Sequence, residues 1–354
     1  MKRTAAILLS VTVIAGMLSG CGQSKGNGGT PAVSAAGEQG GASTQGGAGA
    51  QAAEGGIVLK LGMVDPDGSN FHKGALAVAE EVDKATGGKV KIQVFAGGQL
   101  GNERDMYEGA QMGTIDMFAA SNAVITSFIP EMAVLDQPFL FETAEEAHHV
   151  IDGTVGQLIA DKTAAQGIHT VGWMDVGFRN IFSTRPVASL EDLKNLKIRT
   201  MENDIHIAAF NAMGAIATPM ASGDVFTGLQ QGTIDAAENS ISNLIANRYY
   251  EITKNVTWTN HVFGFMGIFM SDKAWNQIPE DVREDFMAGV KAGAQRQRDY
   301  LVEANEAAVK ELTGLGVNFY EISMDDLRKL ADPAMEQFAD RMDPAWVEAI
   351  EAEK

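Results

Sequence analysis

Two arginines stand where short strand-like segments end, and arginine is the side chain best suited to bind a carboxylate. Arg179 lies in the run Val176 to Asn180, and Arg199 closes the run Lys197-Ile198-Arg199. A guanidinium presents a planar fork of N–H donors that can hold both oxygens of a carboxylate, which a flexible lysine cannot match. Either arginine alone could reach solvent or pair with a surface acid. Two of them in a strongly acidic chain favour a carboxylate clamp.

The sequence lacks the patterns typical of catalytic and metal sites. It contains no Gly-x-Ser-x-Gly elbow, no P-loop and no His-Glu-x-x-His helix. Its 6 histidines do not occur at the tight spacing of metal ligands. We therefore expect no catalytic residues, no metal and no other cofactor.

A repeated tetrapeptide indicates two similar halves. Gly-Thr-Ile-Asp occurs at 113–116 and at 232–235, each time after a helical pattern and before a short apolar run that leads to Asn122 or Asn239. A tetrapeptide can repeat by chance, but the repeat of the whole helix-strand-Asn unit favours two α/β lobes. Ligands bind beyond the carboxyl ends of strands in open α/β sheets. Both asparagines are therefore candidate ligand contacts.

Alternating strand and helix patterns also favour an α/β class. Residues 57–62 are typical of a strand, Ser69 suits the start of a helix, and residues 90–94 alternate apolar and polar side chains as a half-buried strand does. From Glu280 onward the pattern is that of a long helix with one apolar face.

The N-terminal residues carry targeting signals. A basic start followed by an apolar stretch predicts a secretory signal peptide over 1–20. Leu18-Ser19-Gly20-Cys21 resembles a bacterial lipobox, in which Cys21 carries the lipid; a chance or buried cysteine is the alternative. The lipidated Cys and the Gly-, Ala- and Ser-rich residues that follow, 21–56 together, predict a disordered tether. We expect an extracytoplasmic protein that is lipid-anchored to the cell membrane.

The charge of the chain excludes one class of partner. The formal net charge is −19 at pH 7, and such a surface repels nucleic acid and other polyanions. We expect no nucleic-acid partner, and any anionic ligand must be held by a local arginine cluster.

Seven short motifs follow one another between about Leu59 and Phe286. They are Gly98-Gln99-Leu100-Gly101, the first Gly-Thr-Ile-Asp at 113–116, Leu135 to Phe141, Ser189 to Arg199, Ala212 to Met220, Leu229 to Asn239, and Thr259-Asn260-His261. No single motif is decisive, but in their order and spacing the chain resembles the DctP-type solute receptors of TRAP transporters.

The resemblance implies a periplasmic-binding-protein-like α/β fold with two lobes, a ligand cleft between them and a long helix spanning both. We assign residues 57–176 and 265–304 to the first lobe, and residues 177–264 and 305–354 to the second. The resemblance also implies two membrane partners, a small and a large integral membrane subunit of a TRAP transporter, which receive the ligand.

The resemblance also implies which second-lobe residues contact the ligand. Arg199 is expected to hold the ligand carboxylate through two hydrogen bonds, with Arg179 and Asn239 beside it.

First-lobe contacts follow less directly. In the receptors that the chain resembles, the position of Glu103 contacts ligand hydroxyls. An acid in the first turn of a helix is also favoured by the helix dipole, which is the alternative. Ser121 stands where sialic-acid receptors of the family carry an acid, which leaves Ser121 or Asn122 as the polar contact. His72 and Phe178 are further candidates, with a half-buried structural role as the alternative for each.

These features predict reversible capture of a monocarboxylic sugar acid, such as a hexuronate or an aldonate. Carboxylate and amide side chains suit a ligand with many hydroxyls. Three alternatives remain open: a C4-dicarboxylate receptor, which needs a second cationic anchor; a surface signalling or adhesion receptor on the same fold; and an extracellular lyase or hydrolase, which needs an acid–base pair in the cleft.

If Cys21 carries the anchor, Cys21→Ser should release the protein into the medium or leave it unprocessed, because the chain contains no other thiol. Membrane fractionation with an immunoblot measures this. A processed Cys21→Ser protein that still sediments with membranes would contradict the lipobox interpretation.

Overall fold

The computed structural model describes residues 56–354. The predicted signal peptide, Cys21 and the tether up to residue 55 lie outside the described residues. The strands are β1 (Ile57–Gly62), β2 (Val90–Phe95), β3 (Met117–Ser121), β4 (Ile168–Phe178), β5 (Asn180–Ser183), β6 (Lys197–Thr200), β7 (Ile216–Pro219), β8 (Ala236–Asn239), β9 (Asn255–Trp258), β10 (Phe263–Ser271) and β11 (Asn318–Glu321). The helices are α1 (Asn70–Ala85), α2 (Glu103–Gln111), α3 (Asn122–Ile125), α4 (Ala144–Asp152), α5 (Thr154–Ala164), α6 (Leu190–Leu193), α7 (Asp204–Ala212), α8 (Val225–Gln231), α9 (Ile241–Ala246), α10 (Asp272–Trp275), α11 (Glu280–Gly314), α12 (Met324–Met335) and α13 (Pro344–Glu353). Among these helices, none has both the length and the apolar composition that a bilayer crossing requires.

Two sheets divide the described chain into two lobes. The first lobe is built on a five-stranded sheet of order β2-β1-β3-β10-β4, in which β1 runs parallel to β2 and β3, and β10 runs antiparallel to its neighbours. The second lobe is built on a six-stranded sheet of order β11-β9-β5-β8-β6-β7. Separate clusters of buried apolar side chains pack on these sheets. The predicted two-lobed α/β fold is confirmed.

The two Gly-Thr-Ile-Asp passages have the same local geometry. Both glycines adopt φ +69°, in the left-handed region that glycine tolerates. The carboxylate of Asp116 accepts the backbone N–H of Lys60 in β1 at 3.1 Å, and that of Asp235 accepts the backbone N–H of Lys197 in β6 at 3.1 Å. Each copy therefore fastens the start of a strand to the neighbouring parallel strand.

Two antiparallel segments cross between the lobes. The chain passes from β4 to β5 through Arg179, and from β9 to β10 through residues 259–262. The backbone N–H of Arg179 donates to the carbonyl oxygen of Val262 at 2.9 Å, which ties the two crossings together. Gly177 precedes the crossing with φ +82°, a backbone conformation in which a larger residue would be strained. This glycine turn lies next to Arg179.

Helix α11 spans both lobes, as predicted. Its 35 residues make it about 50 Å long. Its first half packs against α1 so closely that a Cβ at Gly293 would lie 2.3 Å from the Cα of Val78. In the second lobe, Asn305 Oδ1 accepts the backbone N–H of Ser242 at 3.1 Å.

The C-terminal helix departs from the lobe boundaries expected from the sequence. We assigned residues 305–354 to the second lobe, but α13 packs against α4 and α5 of the first. Trp346 and Ile350 are buried there among apolar side chains such as Val150 and Ile159. The amphipathic pattern of α13 predicts that one face is buried, and it carries no information on which lobe provides the partner surface.

Candidate functional site

A small cavity lies between the lobes. Both lobes and the crossing strands line it. The lining residues are Val64, Asp65, Phe71, Glu103, Ser121, Val176, Arg179, Arg199, Met201, Ser222, Asn239, Asn243 and Met266. The structure therefore brings together Arg199, Arg179, Asn239, Glu103 and Ser121, all expected from the sequence to contact a ligand.

Arg199 offers hydrogen-bond donors that the protein does not use. It lies in β6, is 4 % exposed, and donates from Nε to the carbonyl oxygen of Met220 at 2.8 Å. Among residues 56–354, neither of its terminal nitrogens has an acceptor. Burial lowers the pKa of Arg199, but an arginine stays protonated at neutral pH because its ordinary pKa lies so far above it. The terminal nitrogens form a free, charged fork in the cavity.

Arg179, in contrast, is nearly saturated by the protein. It donates from Nε and one terminal nitrogen to the two carboxylate oxygens of Glu238, at 2.5 and 2.9 Å. The same terminal nitrogen donates to the backbone oxygen of Glu238 at 2.7 Å, and the other donates to Asn239 Oδ1 at 3.1 Å. A guanidinium has five N–H donors, so a single one remains for a ligand.

The ion pair between Arg179 and Glu238 is buried, and His261 makes a further contact with it. Arg179 and Glu238 are 1 % and 0 % exposed. His261, in the second crossing, places Nε2 3.2 Å from the carboxylate of Glu238 and Nδ1 2.8 Å from the hydroxyl of Thr259. Burial opposes the charge on Glu238, but the charge and hydrogen bonds of Arg179 and the bond to His261 outweigh it and hold the pKa of Glu238 well below its ordinary value. Arg179, Glu238 and His261 therefore form a buried, hydrogen-bonded charge network beside the cavity.

Polar groups of both signs surround the free fork of Arg199. Asn239 accepts N–H bonds from Arg179 and from the backbone of Ser240, which leaves its NH₂ group as a donor. Glu103, the first residue of α2, accepts the backbone N–H of Ser121 at 2.6 Å. Burial raises the pKa of Glu103, against the lowering effect of that hydrogen bond and of both arginines. The cavity can therefore hold one carboxylate and several hydroxyls.

Three residues expected at the cleft do not line this cavity. Asn122 is 1 % exposed; it donates to Asp136 at 2.7 Å and accepts the backbone N–H of Phe265 at 2.9 Å, so its amide is consumed within the first lobe. Of the pair Ser121 and Asn122, only Ser121 faces the cavity. His72 accepts the backbone N–H of Gly68 at 3.0 Å and stabilises the loop before α1.

Phe178 lines a different, larger groove on the α11 side of the crossing, with a volume of about 460 Å³. Its ring packs edge-to-face on Phe263 at 5.0 Å. The histidine and the arginine of this groove already have partners: His148 lies 2.6 Å from a carboxylate oxygen of Asp175, and Arg298 is paired with acids. The smaller cavity, with its free guanidinium, is therefore the candidate site.

Sequence reasoning missed three polar lining residues, Asp65, Ser222 and Asn243. Asp65 stands in Asp-Pro-Asp-Gly, which is typical of a turn. The available signal was its position after β1, at the carboxyl edge of the sheet where ligands bind in α/β folds. Among the described residues, no group of three or more His, Cys, Asp or Glu side chains is placed to hold a metal ion.

Comparison with known proteins assigns the chain to a family. The family model described as DctP, bacterial extracellular solute-binding protein, family 7, matches residues 61–349. The chain belongs to this family. A solute-binding protein from Verminephrobacter eiseniae is 36 % identical over 286 residues, which cover 79 % of this chain and 85 % of that protein.

Solved structures agree with this assignment. A TRAP periplasmic solute-binding protein from Polaromonas sp. JS666, bound to D-erythronate, superposes with a TM-score of 0.81 at 32 % identity, over 84 % of this chain and 99 % of that one. A TRAP periplasmic solute-binding protein from Citrobacter koseri, with bound D-glucuronate, gives a TM-score of 0.79 at 31 % identity, with the same coverage of 84 % and 99 %. The predicted membership in the DctP family of TRAP solute receptors, which are extracytoplasmic binding proteins, is confirmed.

The buried ion pair leads to a prediction on stability. We expect Glu238→Gln to lower the free energy of unfolding by about 3–5 kcal/mol at pH 7, because Arg179 would remain charged and buried without a counter-charge. The pKa of Glu238 is lower in the folded protein than in the unfolded chain, so its contribution is complete above about pH 4.5 and is lost as the pH falls towards the folded-state value. The stability difference between parent and variant should therefore narrow in acid. Urea unfolding between pH 3 and 8 measures it.

Glu191→Gln is the matched control, because Glu191 pairs with Lys194 at the surface and its side chain is 76 % exposed. It should leave the unfolding midpoint almost unchanged. A Glu238→Gln protein as stable as this control at pH 7 would contradict the role given to the ion pair.

Proposed function

We propose that this DctP-family receptor captures a sugar acid, such as a hexuronate or an aldonate, between its lobes and delivers it to the small and large membrane subunits of a TRAP transporter. The ligand is bound and released without chemical change. A lipid on Cys21 holds the receptor at the membrane, so that the folded part works outside the cytoplasm at the end of the tether.

One observation carries the ligand class: Arg199 is a buried cation whose terminal N–H groups have no acceptor among the described residues. A buried charge is costly unless it is paired and hydrogen-bonded. A ligand carboxylate supplies both the charge and two well-placed acceptors, because its oxygens match the spacing of the guanidinium fork. The single free N–H of Arg179 lies in the same cavity and can donate to the same ligand.

The remainder of the cavity suits hydroxyl groups. Glu103 and Ser121 provide acceptors on the first lobe, and the NH₂ group of Asn239 provides donors on the second. A hydroxyl both donates and accepts, so it can satisfy either kind of group. The neighbours from Polaromonas and Citrobacter hold D-erythronate and D-glucuronate, each a carboxylate that carries several hydroxyls.

The charge balance of the cavity counts against a C4-dicarboxylate. A second carboxylate needs a second cationic anchor, and Arg179 is already paired with Glu238. The other acidic side chains in the cavity, Asp65 and Glu103, would repel the second anion if they were charged, or would have to take up protons.

Arg199→Ala should weaken binding of D-galactonate and D-glucuronate by about 30- to 5,000-fold, equivalent to about 2–5 kcal/mol, because the carboxylate would be buried and unpaired. Arg199→Lys should also bind poorly, since an ammonium retains the charge but loses the second parallel hydrogen bond. Isothermal titration calorimetry of both variants measures the dissociation constants.

Arg248→Ala is the control for this experiment, because Arg248 lies in the same lobe with its side chain 69 % exposed. Its dissociation constants should stay within a few-fold of the parent's. A folded Arg199→Ala protein with parental affinity would remove Arg199 from the site, and a parent that binds neither sugar acid would contradict the ligand class itself.

A further inference from the structure

One asparagine of the second lobe reaches the first lobe and donates two hydrogen bonds to it. Asn203 immediately precedes α7. Its NH₂ group donates to the carbonyl oxygen of Ala123 at 2.9 Å and to Asp136 Oδ2 at 2.7 Å. Ala123 lies in α3, and Asp136 ends the 3-10 helix Pro130–Asp136, which packs against α3. Both N–H groups of the amide are therefore used between the lobes.

The second lobe fixes the orientation of this amide. Asn203 Oδ1 accepts the backbone N–H of His206 at 3.1 Å and so caps the start of α7. With its oxygen bound on its own lobe, the NH₂ group must point away from the helix. Asn203 is 4 % exposed, so its donors are set in place before they meet the first lobe.

The first lobe prepares the acceptor in the same way. Asp136 is 0 % exposed, and its two oxygens accept Asn122 Nδ2 at 2.7 Å and Thr126 Oγ1 at 2.6 Å. Burial raises the pKa of Asp136 to about 7, against the lowering effect of its hydrogen bonds, that of Asn203 among them. Above this pH the carboxylate is a fixed acceptor for a donor from the second lobe.

A neighbouring histidine does not take over this contact. His206 Nε2 lies 4.0 Å from Asp136 Oδ1, beyond hydrogen-bond distance. Burial lowers the pKa of His206 to about 3, so its ring is neutral at neutral pH and forms no ion pair with the carboxylate. The bond between Asp136 and the second lobe therefore depends on Asn203.

The contact lies outside the cavity proposed to hold the ligand. Asn203, Ala123 and Asp136 are absent from the lining of that cavity, and Asn203 instead lines a separate surface groove between the lobes, opposite Thr126. Asn203 follows Arg199 by four residues in the chain, and Ala123 follows Ser121 by two. The contact thus joins the two segments that carry the site without reaching the ligand itself.

We propose that Asn203 is a closure latch, whose two hydrogen bonds to Ala123 and Asp136 form as the lobes close on a ligand and are exchanged for water as they open. This inference rests on the proposed capture function and adds to it a residue that sets the affinity from outside the site. The apparent dissociation constant depends on how favourable closure is. Loss of the latch should therefore weaken binding of different ligands by the same factor.

Asn203→Asp tests the latch. It keeps the size of the side chain and the oxygen that caps α7, but it replaces both donors with an acceptor that faces a carbonyl oxygen and a carboxylate. Calorimetric titration at pH 8, where Asp136 is ionised, should show D-galactonate and D-glucuronate each bound about tenfold or more weakly, and by the same factor. Small-angle scattering at saturating ligand should show a larger radius of gyration than that of the parent complex.

Asn211→Asp is the matched control, because Asn211 lies in the same helix, is exposed, and uses its side-chain oxygen to accept the backbone N–H of Ala217 at 3.0 Å. It should keep the parental dissociation constants. Asn203→Ser provides a second variant if Asn203→Asp does not fold by circular dichroism. It retains a capping oxygen and adds no charge, but it is one bond shorter and has one donor, so it should weaken both acids in the same direction.

The double variant Asp136→Asn/Asn203→Asp exchanges the amide and the carboxylate between the lobes. The new amide at position 136 can accept from Asn122 and donate to the new carboxylate at position 203. The double variant should therefore bind both acids more tightly than Asn203→Asp alone, a rescue that a purely structural role would not produce. Losses that simply multiply in the double variant would show that the two side chains do not act on each other, and would contradict the latch.

The outcomes separate this inference from the proposed function. If the parent binds a sugar acid and the Asn203 variants keep its dissociation constants, the latch is wrong and the sugar-acid function stands. A lower midpoint of urea unfolding with unchanged affinity would show a structural contact only, and losses that differ strongly between the two acids would indicate a ligand contact; either overturns the inference. A parent that binds neither acid fails the proposed function, and this inference fails with it.

Discussion

The ion pair between Arg179 and Glu238 determines what the cavity can bind. The carboxylate of Glu238 takes two of the donors of Arg179 and cancels its charge, and the Glu238 backbone oxygen and Asn239 take two more. The free positive charge of the site therefore resides on Arg199. The same pair fastens the crossing segment to β8 and orients Asn239 through its side-chain oxygen. One guanidinium is thus structural and the other is free, and the site has one strong position for an anion.

The fold places these groups where a hinge motion can enclose a ligand. The two crossing segments and α11 connect the lobes, and two-lobed proteins close by rotation about such connections. Between the lobes, Asn203 donates to the carbonyl oxygen of Ala123 at 2.9 Å and to Asp136 at 2.7 Å. Polar contacts of this kind can be exchanged for water, which would allow the lobes to separate.

The sequence allowed the site to be predicted where local pattern determines position. Arg199 lies in a strand that follows a recognisable helix cap, and the repeated Gly-Thr-Ile-Asp units indicate two lobes. Other features depend on partners far away in the chain: the pairing of Arg179 with Glu238 joins residues 59 positions apart. Asn122 follows directly on Ser121, and only the buried partners of its amide show that it does not face the cavity. The sequence around Asp65 is typical of a turn, and its place in the cavity depends on how the opposite lobe packs against it.

The most direct test of this account is the crystal structure of the receptor in complex with D-galactonate or D-glucuronate. The account predicts a closed cavity in which both carboxylate oxygens lie about 2.7–2.9 Å from the two terminal nitrogens of Arg199, the separation of charge-assisted hydrogen bonds, while Arg179 keeps its bonds to Glu238. A carboxylate bound elsewhere, with the terminal nitrogens of Arg199 facing only water or sugar hydroxyls, would contradict it.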